Sequence, residues 1–153
     1  MATLVLIPGM NPQASKGIFD AIRTDLPKAK FIELTVASEE QLMEKKPDGE
    51  FILVGKSMGG KVALEHQLKH KDAAALVLLA PAVEADEKFR KIKVPTLIVH
   101  GTADPVIPID NSRKMNKIIA SSKLIEIKDA DHSYRGKEAE TVKAVAEFIN
   151  CLK

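Results

Sequence analysis

The chain has 153 residues, 45% of them hydrophobic and 29% charged, with 23 basic and 21 acidic side chains giving a formal charge of +2. That length fits one domain with a sizeable core, expected to span residues 1–153, and no apolar run approaches the roughly 20 residues of a membrane helix. The charges fall in short mixed clusters rather than a basic stripe, which excludes a nucleic-acid-binding surface of the usual kind. A single cysteine, Cys151, excludes an internal disulfide.

In chain order, six aliphatic runs read as strands: residues 3–7, 30–36, 51–54, 74–80, 96–99 and 123–127. The first of them, around Leu4-Val5-Leu6-Ile7, lacks the basic leader and the length of a signal-peptide core, so the expected location is the cytoplasm. Ile18, Phe19, Ile22 and Leu26 share one helical face. Residues 59–71 form a second helix, Met115, Ile118 and Ile119 mark a third after Asp110, and Val142, Val145, Ile149 and Leu152 line a fourth. Strands alternating with helices imply βαβ units, hence an α/β fold with a parallel sheet between two helical layers.

The strands also carry their order. Lys30, Glu33 and Thr35 interrupt the second, and Lys123, Glu126 and Lys128 surround the sixth, whereas the others are almost uninterrupted aliphatics. Edge strands tolerate such charges and strands buried on both faces do not, so the expected order is 2-1-3-4-5-6. Ligands then bind beyond the carboxyl ends of strands one and three, at residues 8–11 and 55–57.

Chemistry concentrates at those ends. Gly55-Lys56-Ser57-Met58-Gly59-Gly60 directly follows the third strand and opens a helix, which is the strand-turn-helix setting that a G-x-S-x-G nucleophile requires. A serine hydroxyl needs a general base that is itself oriented by a carboxylate. His132 lies just after the sixth strand and Asp104 just after the fifth, so parallel strands bring all three to one sheet edge. Taken singly, Asp104 before Pro105 could shape a turn and His132 could be a solvated loop residue; Glu84 or Asp86, after the fourth strand, are alternative acids. Oxyanion donors fall on the backbone amide of Met58, at the helix start, and of Met10, with Gly9 permitting close approach.

On the strength of GKSMGG, HGTADPVIP and DADHSY, the chain resembles a minimal, lidless α/β-hydrolase, akin to dienelactone-hydrolase-like and esterase domains. The resemblance implies a Ser57, Asp104 and His132 triad, and oxyanion amides on Met58 and Met10. Two departures are visible. Pro8-Gly9 stands where the family usually has His-Gly, and the two antiparallel strands that usually come first are missing, which implies a truncated three-layer sandwich.

Residues 82–93, where a cap is usually inserted, leave room for one short helix around Glu87 to Lys91, so an open site is expected. Its pocket walls would come from Gly9, Met10, Met58, Val83, Phe89, Val106, Ile107 and Tyr134. The expected activity is cleavage of a carboxylic ester or thioester of a small acyl substrate through an acyl-Ser57 intermediate, with no metal or organic cofactor. The alternative is a catalytically weak protein of the same fold that binds a ligand or a protein.

Other signals read as structural. Gly55, Gly60 and Lys61 approximate a phosphate-binding loop, but Val62 stands where magnesium needs a hydroxyl. His66 and His70 share a helical face, yet Gln67 replaces the glutamate of a zinc-protease helix, so a solvated face is expected. His100 reads as a satisfied structural histidine and Cys151 as a packing residue.

Overall fold

The computed structural model describes residues 2–152. Six strands form one fully parallel sheet: β1 (Thr3–Ile7), β2 (Lys30–Glu33), β3 (Phe51–Lys56), β4 (Ala75–Leu79), β5 (Thr96–Gly101) and β6 (Ser122–Ile127). Their order is β2-β1-β3-β4-β5-β6, as the edge charges predict. Five α-helices cover the faces: α1 (Pro12–Asp25), α2 (Glu39–Lys45), α3 (Met58–His70), α4 (Ile109–Ile118) and α5 (Glu138–Asn150). Between β4 and β5 there is only a turn of 3-10 helix, Glu87–Lys91, and no cap is inserted there.

Strand periodicity builds the two cores. Leu4, Leu6, Val54, Val77, Leu79 and Val99 point to one face and pack with Ile18, Phe19 and Ile22 of α1 and Val142, Val145 and Ile149 of α5. Val5, Ile7, Leu53, Leu76, Leu78 and Ile98 point to the other, against Leu42 of α2, Ala63 and Leu64 of α3, and Met115 of α4. This is a three-layer αβα sandwich. Its central strands are aliphatic throughout because both of their faces are buried.

Three expectations change. The second strand ends at Glu33, and Leu34 N–H donates to Leu6 O as the chain leaves the sheet. The helix α2 went unread because only Leu42 is buried in its seven residues, too little to make a periodic pattern. Its local signal is Ser38, which caps the helix by accepting from Gln41 N at 3.2 Å, with Gln three residues on. Cys151 is exposed rather than packed, since it caps the end of α5 as the chain turns out of the last helical turn.

Candidate active site

The loop after β3 is strained by its own geometry. Ser57 has φ 55° and ψ −116°, outside the regions a side chain prefers, a conformation costing of order 1–3 kcal/mol. Backbone bonds on three sides hold it: Ser57 N donates to Leu79 O, while Gly60 N and Ala82 N donate to Ser57 O, each at 2.9 Å. The flanking glycines are sterically required. A Cβ on Gly55 would lie 2.2 Å from Gly59 O, and one on Gly59 would lie 2.0 Å from Ile7 O. Strand, turn and helix therefore press together, and the Ser57 hydroxyl projects from the elbow.

The loops after β5 and β6 are fastened to each other. Ala103 N donates to Ala130 O at 3.0 Å and Asp129 N to Thr102 Oγ1 at 2.8 Å, and a Cβ on Gly101 would lie 2.3 Å from Ala130 O. Asp131 Oδ1 accepts from Ser133 N and Arg135 N at 2.9 and 3.1 Å, which shapes the turn carrying His132. The result is a continuous chain of hydrogen bonds. His132 Nε2 lies 3.0 Å from Ser57 Oγ, and His132 Nδ1 lies 2.7 Å from Asp104 Oδ2. With the carboxylate accepting the Nδ1 proton, Nε2 is left to accept from the serine hydroxyl. Glu84 and Asp86 take no part: Asp86 caps the 3-10 helix through Lys88 N instead.

Asp104 is held as an anion. Its side chain is buried, which alone would raise its pKa, but the Ile107 amide, His132 and the Val106 amide together bring it below the ordinary 3.8. Those amides bind Oδ1 at 2.9 and 2.8 Å, leaving Oδ2 for the imidazole. The Lys56 side chain is buried beside the elbow. Burial lowers its pKa, and the charges of Asp104 and Asp131 oppose that shift.

His100 is structural, as expected. It is buried, Nε2 donates to Ile107 O at 2.8 Å, Nδ1 meets Ser112 Oγ at 2.6 Å, and Asp104 Oδ2 lies 3.3 Å away. Burial pushes its pKa below 6.5, against the pull of the Ile107 carbonyl and Asp104. An imidazole kept neutral in the folded state is protonated first in the unfolded chain, so stability declines as pH falls below about 6.5 until the lowered folded-state value is passed. Asp104 acts in a lower window: its contribution is complete above its unfolded value and is lost as pH falls through the depressed one. Urea unfolding at about pH 7.5 and pH 5.5 should show the wild type weakened at the lower pH by at most about 1.4 kcal/mol per unit from this group, and His100→Gln with a smaller drop.

The expected oxyanion loop lies beside the serine. Gly9 is buried, a Cβ on it would lie 3.2 Å from Ser57 Cβ, and its N–H donates to Ser15 Oγ at 3.2 Å. Met58 opens α3, where first-turn amides have no helical acceptor. The Met10 and Val106 side chains are 85% and 61% exposed and stand at the rim. Val83 and Ile107 line a cleft of about 640 Å³ that also includes Ala82, Pro108 and Asn111.

Two expected pocket walls are core residues. Phe89 is buried in the layer of α3 and α4. Tyr134 is fully buried with φ 60°, and its hydroxyl donates to Val99 O at 2.7 Å; the turn reverses the chain after His132 and sends the ring inward. Tyr134→Phe is therefore expected to lower unfolding stability by about 1 kcal/mol while leaving KM for any substrate unchanged, as steady-state kinetics and urea titration can check.

A fully parallel sheet of this order, with a strained serine turn leading from β3 into α3, is the architecture of an α/β-hydrolase. The family described as alpha/beta hydrolase domain matches residues 23–151, and the chain belongs to it. Among curated proteins, the AB hydrolase superfamily protein YisY of Bacillus subtilis (strain 168) is 36% identical over 70 residues, 42% of this chain and 26% of that protein. Protein ABHD14A of Mus musculus is 28% identical over 106 residues, 66% of this chain and 42% of that one. The chain thus spans less than half the length of these relatives. Among solved structures, Est1E from Butyrivibrio proteoclasticus superposes with a TM-score of 0.82 at 19% identity, covering 97% of this chain and 86% of that one. A serine hydrolase involved in carbazole degradation superposes at 0.79 and 19% identity, covering 98% and 91%. No helix among the described residues is long and apolar enough to cross a membrane.

Proposed function

We propose that this chain is a serine hydrolase that cleaves a carboxylic ester or thioester of a small acyl substrate through an acyl-Ser57 intermediate. The reading is carried by the chain of contacts at 3.0 and 2.7 Å from Ser57 Oγ through His132 to the buried Asp104. It is supported by relatives such as the bifunctional esterase/perhydrolase of Acinetobacter calcoaceticus, 39% identical over 65 residues, 41% of this chain and 24% of that protein.

In this mechanism His132 Nε2 takes the Ser57 proton as Oγ bonds to the acyl carbon. Asp104 stabilises the imidazolium, and the Met58 and Met10 amides receive the negative charge that develops on the carbonyl oxygen. As the tetrahedral species collapses, His132 hands the same proton to the departing alkoxide or thiolate. Water then repeats the sequence: His132 removes its proton, the hydroxide adds to the acyl carbon, and Ser57 leaves with the proton returned. We assign the acyl or leaving group to the cleft beside Val83 and Ile107, formed by the loops after β4 and β5 on the same sheet edge as Ser57, with no cap inserted between those strands. A single exposed thiol fits the reducing cytoplasm, where we place the protein.

Intact-mass analysis after exposure to a fluorophosphonate probe tests the reading. The expected result is one adduct per chain, on Ser57, together with turnover in a panel of short-chain esters and thioesters. Folded protein that stays unlabelled and inert across the panel refutes it and favours a binding role for the same fold.

A further inference from the structure

A second cluster lies towards the C-terminal end of α3, and the proposed hydrolysis does not use it. His66, expected on a solvated face, is fully buried: α2 packs over it, with His66 Nδ1 at 2.9 Å from Glu39 Oε1 and Nε2 at 2.8 Å from Asp72 Oδ1. His70, one turn further along α3, stacks on His66 with ring centres 4.6 Å apart, and its Nε2 reaches to 3.4 Å from the same Glu39 oxygen. The ligand atoms of Glu39, His66 and His70 all lie within 4.8 Å of one another.

We infer that Glu39, His66 and His70 form a divalent-metal site, with zinc the fitting ion, that ties α2 to α3. Each ligand is of a type zinc takes, and two imidazoles with one carboxylate leave a fourth position for water. The 3.4 Å between His70 Nε2 and Glu39 Oε1 matches the ligand spacing of about 3.4 Å that bonds of about 2.1 Å give in a tetrahedron, and the 2.9 Å contact of His66 Nδ1 has to open by about 0.5 Å to reach it. Two further features point to a cation. Glu39 Oε2 is buried and has no hydrogen-bond partner among the described residues, an uncompensated acceptor on the carboxylate that faces both rings. His66 Nε2 also lies 2.8 Å from Asp72 Oδ1, so a ligating Nδ1 has a carboxylate behind its ring. A carboxylate behind a ligating imidazole is the usual support of a zinc-bound histidine, and Lys46 anchors that carboxylate in turn at 2.6 Å. The ion has a path in, since the Glu39 and His70 side chains are 38% and 26% exposed.

Calorimetric titration of metal-free protein with zinc chloride, paired with thermal unfolding, tests the site. One equivalent is expected to bind per chain and to raise the unfolding midpoint by roughly 5–10 °C at a hundredfold excess over Kd. Glu39→Gln and His70→Ala, both at partly exposed positions, should each weaken binding at least about 100-fold and remove the rise, and Asp72→Asn should weaken it about 10-fold. Cobalt(II) in place of zinc should give the visible absorption of tetrahedral coordination, lost in His70→Ala. His132→Ala and Cys151→Ser, which remove an accessible imidazole and the thiol outside the cluster, should bind zinc as the wild type does. Absence of a stoichiometric site overturns the inference. So does binding that survives both Glu39→Gln and His70→Ala, or that disappears in His132→Ala or Cys151→Ser.

Discussion

Ser57→Ala is expected to abolish fluorophosphonate labelling and to lower ester turnover by roughly 10⁴–10⁶-fold while leaving the protein folded. The elbow's backbone bonds run through Ser57 N and O, not through the hydroxyl, and Ser57 makes no side-chain cap to α3. Alanine at this position meets the same φ of 55° and the same neighbours, so unfolding stability should change by no more than about 1 kcal/mol. The informative comparison is with His132→Ala. Groups that act as one proton-transfer unit lose their effect together, so the double variant should be scarcely slower than either single one. Losses that multiply instead would mean that Ser57 and His132 act independently, and the acyl-enzyme mechanism would have to be abandoned.

Asp104→Asn separates orientation from charge. The amide oxygen of asparagine can still accept from Val106 N and Ile107 N, so the loop keeps its shape, but its NH₂ then faces His132 Nδ1. That forces the proton onto Nε2, where it can no longer accept from Ser57. A fall in kcat of about 10⁴-fold with an unchanged fold is expected, read from steady-state kinetics and circular dichroism, together with a loss at neutral pH of the stability that the Asp104 anion contributes.

What could be read in the sequence depended on how local the governing physics was. Aliphatic runs dictate strands because a doubly covered sheet accepts nothing else, and the charges of Lys30, Glu33, Lys123 and Glu126 mark the two edges for the same reason. The elbow was legible because its glycines answer a steric demand that any strand-turn-helix of this kind makes. Orientation was not legible. Tyr134 lies two residues from His132, yet a single positive φ sends it into the core, and nothing in its immediate neighbours announces that reversal. His66 and His70 share a face by spacing alone, but whether that face is wet depends on α2, a helix carrying one buried apolar residue. The burial of His66 is thus a tertiary fact, set by an element that only the Ser38 and Gln41 pair signals.

The largest effect on stability is expected at Gly59. Its missing side chain lets α3 approach β1 so closely that a Cβ would lie 2.0 Å from Ile7 O and 2.7 Å from Pro8 O. Both obstacles are backbone, belonging to the strand end and loop that also place Gly9 against Ser57, so neither can move aside without dismantling the site. Gly59→Ala should therefore cost more than about 4 kcal/mol or prevent folding. Gly17 provides the contrast. It is exposed in the interior of α1 with nothing within 4 Å of where a Cβ would go, so Gly17→Ala should stabilise the protein by about 0.5–1 kcal/mol through helix propensity alone. Urea denaturation of the two variants isolates the close helix-strand approach from the general cost of replacing a helical glycine. Equal effects of one sign would show that the elbow is looser than its geometry requires, and that the strain at Ser57 is not held in place by the packing of α3 on β1.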